Sequence, residues 1–134
     1  MFVTREADYA IRCILHLSGE GGRTISAAEI SKSTSIPKSF VAKILQRLSK
    51  KDLVKSVQGI AGGFRLAREP GEVNLLEVIE AIQGPVATNL CVVDNQLCDN
   101  SSTCVVHTIW VKLKENTEEH LREVTFAKLI RDRC

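Results

Sequence analysis

Long apolar runs are absent from this 134-residue chain. None approaches the roughly 20 residues that a membrane-spanning helix needs, and Asp8 interrupts any apolar reading of the N-terminal stretch. No Gly-Lys-Ser/Thr follows the glycine-rich stretch at 58–63 and no strand-to-helix context surrounds it, which sets a nucleotide-phosphate loop aside. No Cys-x-x-Cys occurs, although structural zinc sites usually bring their cysteines in such closely spaced pairs. There is no signal-peptide pattern, and five cysteines leave one over in any disulfide scheme. The expectation is a cytoplasmic protein with reduced thiols and no membrane partner.

What is present is ordinary for a globular protein. With 44% hydrophobic and 25% charged residues, the chain can bury a core as one compact domain or as a small domain with an appended element. The net charge of +2 conceals an asymmetry. Residues 1–70 hold twelve Lys and Arg against six Asp and Glu, whereas residues 71–134 hold six against ten. A basic half followed by an acidic half points the first half toward a polyanion.

Apolar spacing places the elements. Residues 4–18 read as a helix capped by Thr4, with Ala7, Ala10, Ile11, Ile14, Leu15 and Leu17 as its stripe. Cys13 reads as packing and His16 as structural, since neither has a neighbouring ligand set. Ser26-Ala-Ala-Glu29 is a capping-box pattern opening a short helix at 27–34, with Ala28 and Ile30 on its buried side. Pro37 suits the first position of a third helix at 38–51, in which Phe40, Val41, Ile44, Leu45 and Leu48 face inward. Short helix, tight turn and longer basic helix form a helix-turn-helix, and the hairpin expected at 53–67 is its wing. A helix at 75–83 follows, with Leu76, Val78, Ile79 and Ile82 as its apolar set. The longest helix is expected from about 103 to 124. Val106, Ile109, Trp110, Leu113, His120, Leu121 and Val124 recur along it at helical steps, with little left in a small domain to cover them, so a second copy is the expected partner. A short helix from Thr125 folds back, and Cys134 is read as incidental. The fold class is therefore mostly α, a winged helix-turn-helix with a long C-terminal dimerisation helix. Its division is 1–84 for DNA binding, 85–107 for a cysteine-rich loop and 104–134 for dimerisation and tail.

Cys91, Cys98 and Cys104 lie in a polar loop, with six and then five residues between them. Asp94, Asn95, Gln96, Asp99 and Asn100 make that loop too polar for buried packing cysteines. A helix beginning near Cys104 would put Cys104 and His107 on one face, a turn apart, and its N-terminus would favour thiolates and an anionic centre. Thiolate with imidazole suits zinc or an iron–sulfur cluster rather than magnesium or calcium. Reactive or regulatory thiols are the competing reading, and a cysteine nucleophile working with His107 is set aside because no pocket-forming sheet is expected.

The two halves together resemble the Rrf-two (Rrf2) family of bacterial transcription regulators over nearly the whole chain. The resemblance is carried by Thr4-Arg-Glu-Ala-Asp-Tyr-Ala-Ile-Arg12, the helix-turn-helix ending at Val54, and the wing Val57-Gln-Gly-Ile-Ala-Gly-Gly-Phe-Arg-Leu66. Leu76-Glu-Val-Ile-Glu-Ala-Ile82, the three cysteines and Thr125-Phe-Ala-Lys-Leu129 continue it. It implies a homodimeric, non-enzymatic repressor-type regulator on a palindromic operator in double-stranded DNA, with an iron–sulfur cluster on Cys91, Cys98 and Cys104. IscR-like members add a histidine three residues after the last cysteine and a 2Fe–2S cluster, which His107 matches and which is preferred here. NsrR-like members, which sense nitric oxide, add an acid from the first helix of the partner subunit and a 4Fe–4S cluster, which Asp8 matches. A cluster-free regulator responding through thiols or zinc stands as a further alternative.

The docking geometry of a helix-turn-helix suggests the DNA contacts. Lys38, Ser39, Ala42 and Lys43 begin the recognition helix, positioned for bases or phosphates in the major groove. Arg47, Lys50 and Lys51 are expected at phosphate or solvent. Gln58 stands where family members often present a wing arginine, which leaves Arg65 to compensate.

Overall fold

A computed structural model describes residues 3–89, 92–93 and 103–133. Thr4 stands in extended conformation before helix α1 (Arg5–Ser18), and its hydroxyl accepts the Ala7 N–H at 3.1 Å, as the sequence leads one to expect. Ala7, Ala10, Cys13, Ile14 and Leu17 fall on one face and are buried, with Ile11 and Leu15 half-buried beside them. Full burial of an isoleucine or leucine contributes about 1.5–3 kcal/mol, so this stripe is a large share of what holds the fold. Four of the other five α-helices among the described residues pack around α1.

Helix α2 (Ala27–Thr34) is capped by Ser26, which accepts the Glu29 N–H at 3.2 Å. Half of the expected capping box is thus made, while the Glu29 carboxylate pairs with Arg23 at 3.3 Å. Ile30 is buried as expected, but Ala28 is exposed and Ala27 takes the inner position. Helix α3 (Lys38–Lys50) buries Val41, Ile44, Leu45 and Leu48. Pro37 is its cap residue rather than its first helical residue, a one-position correction. Phe40 corrects the inward expectation: it is 45% exposed, at the margin of the stripe, with its ring edge-on to Tyr9 at 5.9 Å.

Strands β1 (Val54–Val57) and β2 (Gly63–Leu66) pair antiparallel, with Val54 opposite Leu66 and Val57 opposite Gly63. Ile25 exchanges two 2.8 Å backbone hydrogen bonds with Phe64, so the segment before α2 lies along β2 and ties the hairpin to the domain. Gly63 is required at that contact, because a Cβ there would lie 2.2 Å from the Ile25 carbonyl oxygen. After a 3-10 turn at Pro70–Glu72 comes helix α4 (Leu75–Gln83), opened by a complete capping box between Asn74 and Glu77. Its Leu76, Val78, Ile79 and Ile82 are all buried.

Helix α5 (His107–Glu123) begins four residues later than the apolar spacing suggests. Val73, just before α4, accepts the Phe126 N–H at 3.0 Å, and the Leu75 N–H at the start of α4 donates to Val124 at the same distance. Helix α6 (Phe126–Arg133) therefore folds back, as expected, and seats Phe126 in the main core fully buried. The result is a mostly helical winged helix with one two-stranded sheet among the described residues. No helix of the described residues is long and apolar enough to cross a membrane.

Candidate metal centre and nucleic-acid interface

Cys91 and Cys98 lie outside the described residues, as does Cys134. Cys104 carries a free, half-buried thiol. It precedes α5 instead of lying within it, so the expectation that Cys104 and His107 share a helical face is corrected. A turn does the joining: the His107 N–H donates to the Cys104 carbonyl at 3.2 Å. His107 is the first residue of α5, and its Nδ1 is buried without a hydrogen-bond partner. A buried unpaired nitrogen costs about 1–3 kcal/mol, which a bound metal or proton donor would relieve. Val106 at the cap position offers no side-chain oxygen, so the first amides of α5 also lack a side-chain partner. Thiol, imidazole and helix N-terminus together fit a soft or anionic metal group.

Asp8 is differently placed. Its Oδ2 accepts the Arg12 Nε–H at 3.0 Å in a half-exposed i,i+4 pair. Among the described residues no three His, Cys, Asp or Glu gather into a metal-binding group, so Asp8 does not join Cys104 and His107 within one chain. His16 has a buried Nε2 without a hydrogen bond as well, 3.6 Å from Glu20 Oε1. That separation is too long for a hydrogen bond, although a protonated ring would form an ion pair. Cys13 is fully buried, and burial pushes its thiol up to about 12, in keeping with a packing role.

On α3, Lys38, Ser39 and Lys43 are exposed and Ala42 is half-buried, an arrangement open to a ligand along the first turns. Arg47, although its side chain stays 40% exposed, also has partners within the chain. Its Nη1 meets Glu6 Oε2 at 2.9 Å and its Nη2 the Ile82 carbonyl at 2.5 Å, bracing α3 against α1 and α4. The long sequence separations of those partners hid this role. Gln58 and Arg65 are both exposed on the wing. Arg65 stands directly opposite Lys55, which is also exposed, and neither has an acidic partner among the described residues. Like charges in direct cross-strand register are mildly destabilising until a polyanion neutralises them. Lys55 escaped the sequence reading, although strand register from the hairpin turn would have brought it to Arg65.

The family model described as Rrf2, iron-dependent transcriptional regulator, matches residues 3–132. The chain is 30% identical over 131 residues to the HTH-type transcriptional regulator IscR of Sodalis glossinidius, a match spanning 97% of this chain and 79% of that one. The solved structure of T. potens IscR superposes with a TM-score of 0.78 at 25% identity, covering all of this chain and 89% of that one. CymR, described as the global cysteine regulator of B. subtilis, superposes with a TM-score of 0.79 over 98% of this chain and 97% of its own. Its 19% identity makes that a likeness of fold.

Proposed function

The chain belongs to the Rrf2 family of transcriptional regulators, and on that premise we propose that it is an iron–sulfur cluster-dependent, DNA-binding regulator of IscR-like type. The observation that carries this reading is the unpaired, buried Nδ1 of His107, placed one backbone turn after the Cys104 thiol. Cys91, Cys98, Cys104 and His107 would hold the group, with 2Fe–2S preferred. Asp8 of the partner subunit with a 4Fe–4S cluster is the second arrangement. When bound, such a cluster supplies one-electron redox and ligand exchange at iron. His107 opens α5, whereas Cys91 and Cys98 belong to the segment 85–107, expected as a loop, that leads into it. Ligation would therefore couple that loop to the helix, and through it to the spacing of two recognition helices.

Two subunits would meet along α5, where Ile109 is 57% and Leu113 40% exposed. Each would place Lys38, Ser39, Ala42 and Lys43 in one major groove of a palindromic site, with Lys55 and Arg65 at phosphates. The setting would be the cytoplasm, and the action repressor-like. A cluster-free regulator using thiols or zinc is the competing reading, and the likeness of fold to CymR is compatible with it.

Anaerobic purification with iron, sulfide and visible-absorption measurements separates these readings. The expected outcome is a coloured protein with roughly two irons per chain, altered by His107→Ala and unaffected by Asp8→Ala. Roughly four irons with sensitivity at Asp8 would move the chain to the NsrR-like arrangement. A protein that stays colourless after reconstitution would sink the cluster and leave the thiol or zinc regulator.

A further inference from the structure

A wing that binds by charge needs cations at its tip, and this one has none. From 56 to 64 the chain runs Ser-Val-Gln-Gly-Ile-Ala-Gly-Gly-Phe, nine residues without a charge. The hairpin's cations, Lys55 and Arg65, face each other at its base. At its tip stands Ile60, with a relative exposure of 109%, about that of the side chain in an isolated peptide. A single exposed apolar residue is ordinary on a protein surface. What sets Ile60 apart is how firmly its support is held. The Gly62 N–H donates to the Gly59 carbonyl at 3.0 Å, closing the turn. A Cβ on Gly62 would lie 2.4 Å from the Val57 carbonyl oxygen, so the tip admits only glycine there. At the base, the paired Ile25–Phe64 hydrogen bonds fasten the hairpin to the segment leading into α2. The isoleucine is itself stiff at χ1. A hairpin fastened at its base and closed by a turn at its tip thus presents an apolar side chain beyond a pair of cations.

We propose that Ile60 enters the minor groove as an apolar wedge, so that this wing reads the deformability of base steps while Lys55 and Arg65 hold the flanking phosphates. The inference rests on the DNA-binding reading above and specifies what the wing recognises. Apolar side chains that wedge between base steps act most readily at flexible pyrimidine–purine steps, where unstacking is least costly. Burying a fully exposed isoleucine is worth on the order of tenfold in affinity, and that gain is insensitive to salt because it releases no counterions.

The test uses the full chain as purified and a pool of duplexes with randomised sequence. Selection is followed by salt-titrated binding and end-to-end fluorescence transfer on the selected duplex. Wild type is expected to enrich TA, CA or TG steps beside each half-site and to bend the duplex. Ile60→Ala should lose that preference and the bend, and bind about tenfold more weakly with an unchanged salt slope. Ile60→Arg should regain affinity at low salt while steepening the log K against log salt slope by about one per subunit. Melting of the free variants should match wild type, since Ile60 touches no core. Ile60→Ala that binds within twofold, with the same selected steps and the same bend, would overturn the wedge. Failure of the wild type itself to retain any duplex at low salt would overturn the DNA-binding reading along with it, and would be seen before any substitution is compared.

Discussion

Helices α4 and α5 use their sequences in opposite ways. Nine residues of α4 include four buried apolar side chains, and its N-terminus is closed by a reciprocal Asn74–Glu77 box. Seventeen residues of α5 include none that is buried, and its N-terminus has no side-chain cap. Its apolar contact with the small cluster of Leu76, Ile79 and Val86 comes late, through the half-buried Leu121. The backbone of Val124 then anchors to Leu75. Helix formation in isolation is marginal at this length, so a helix that buries little within its own chain needs a further partner to be stable. The apolar stripe of α4 is consumed inside the subunit, and that of α5 remains available. This difference is the physical ground for proposing a second copy along α5.

The largest effect that tests the contrast comes from removing equivalent apolar side chains. Ile79→Ala, at a site 2% exposed, is expected to cost about 2–5 kcal/mol and to lower the urea midpoint without changing the mass in solution. Ile109→Lys with Leu113→Lys should do the reverse: analytical ultracentrifugation should show the mass halved, while the cooperative unfolding of each chain persists. If the doubly substituted protein kept the mass of the wild type, the α5 interface would be wrong even though the fold stood.

The same contrast explains what could be read beforehand. Helices α1, α3 and α4 announce themselves because each joins a cap or turn signal to a stripe that the domain itself buries. The wing was legible from glycines bounded by β-forming residues, and α6 from the apolar Phe126 and Leu129. Features set by distant parts of the chain were hidden. Ile25 and Val73 are fully buried outside any regular element, and only the packed fold shows why. Phe40 shares the helical spacing of a core residue, yet Tyr9 meets it at the rim and leaves it exposed. Arg47 looked like one more cation of a basic helix until Glu6 and Ile82 claimed it. At the candidate centre the residue types were plain, but Cys91 and Cys98 lie outside the described residues and α5 starts at His107 instead of ahead of Cys104.

A smaller effect separates the two described cysteines. The Cys13 thiol rises from its ordinary 9.0 to about 12 because burial in α1 favours the neutral form. Below pH 9 both folded and unfolded chains keep that proton, and the contribution to stability is complete. Between about 9 and 12 the unfolded chain releases it first, so stability falls as pH rises, at no more than about 1.4 kcal/mol per unit. Cys13→Ala should flatten that decline relative to wild type in urea titrations at successive pH values. Mild alkylation of native protein should meanwhile modify the half-buried Cys104 and spare Cys13. A decline of equal slope in the variant would mean that other groups govern the alkaline limb.

The smallest effect concerns the helix ends. Asn74 accepts the Glu77 N–H at 3.0 Å while Glu77 accepts the Asn74 N–H at 3.3 Å, so Asn74→Ala removes the acceptor of the Glu77 N–H and leaves only the reciprocal half of the box, from the backbone N–H at position 74 to the Glu77 carboxylate. The expected cost is about 1 kcal/mol, within the 0.5–2 kcal/mol typical of lost caps. Val106 is 43% exposed and caps nothing, so Val106→Ala should stay within about 0.5 kcal/mol in the same urea experiment. Equal losses at the two sites would mean that the start of α5 already contributes to the stability of the single chain. The contrast with α4 would then shrink to side-chain burial alone, and the case for a partner along α5 would rest only on Ile109 and Leu113.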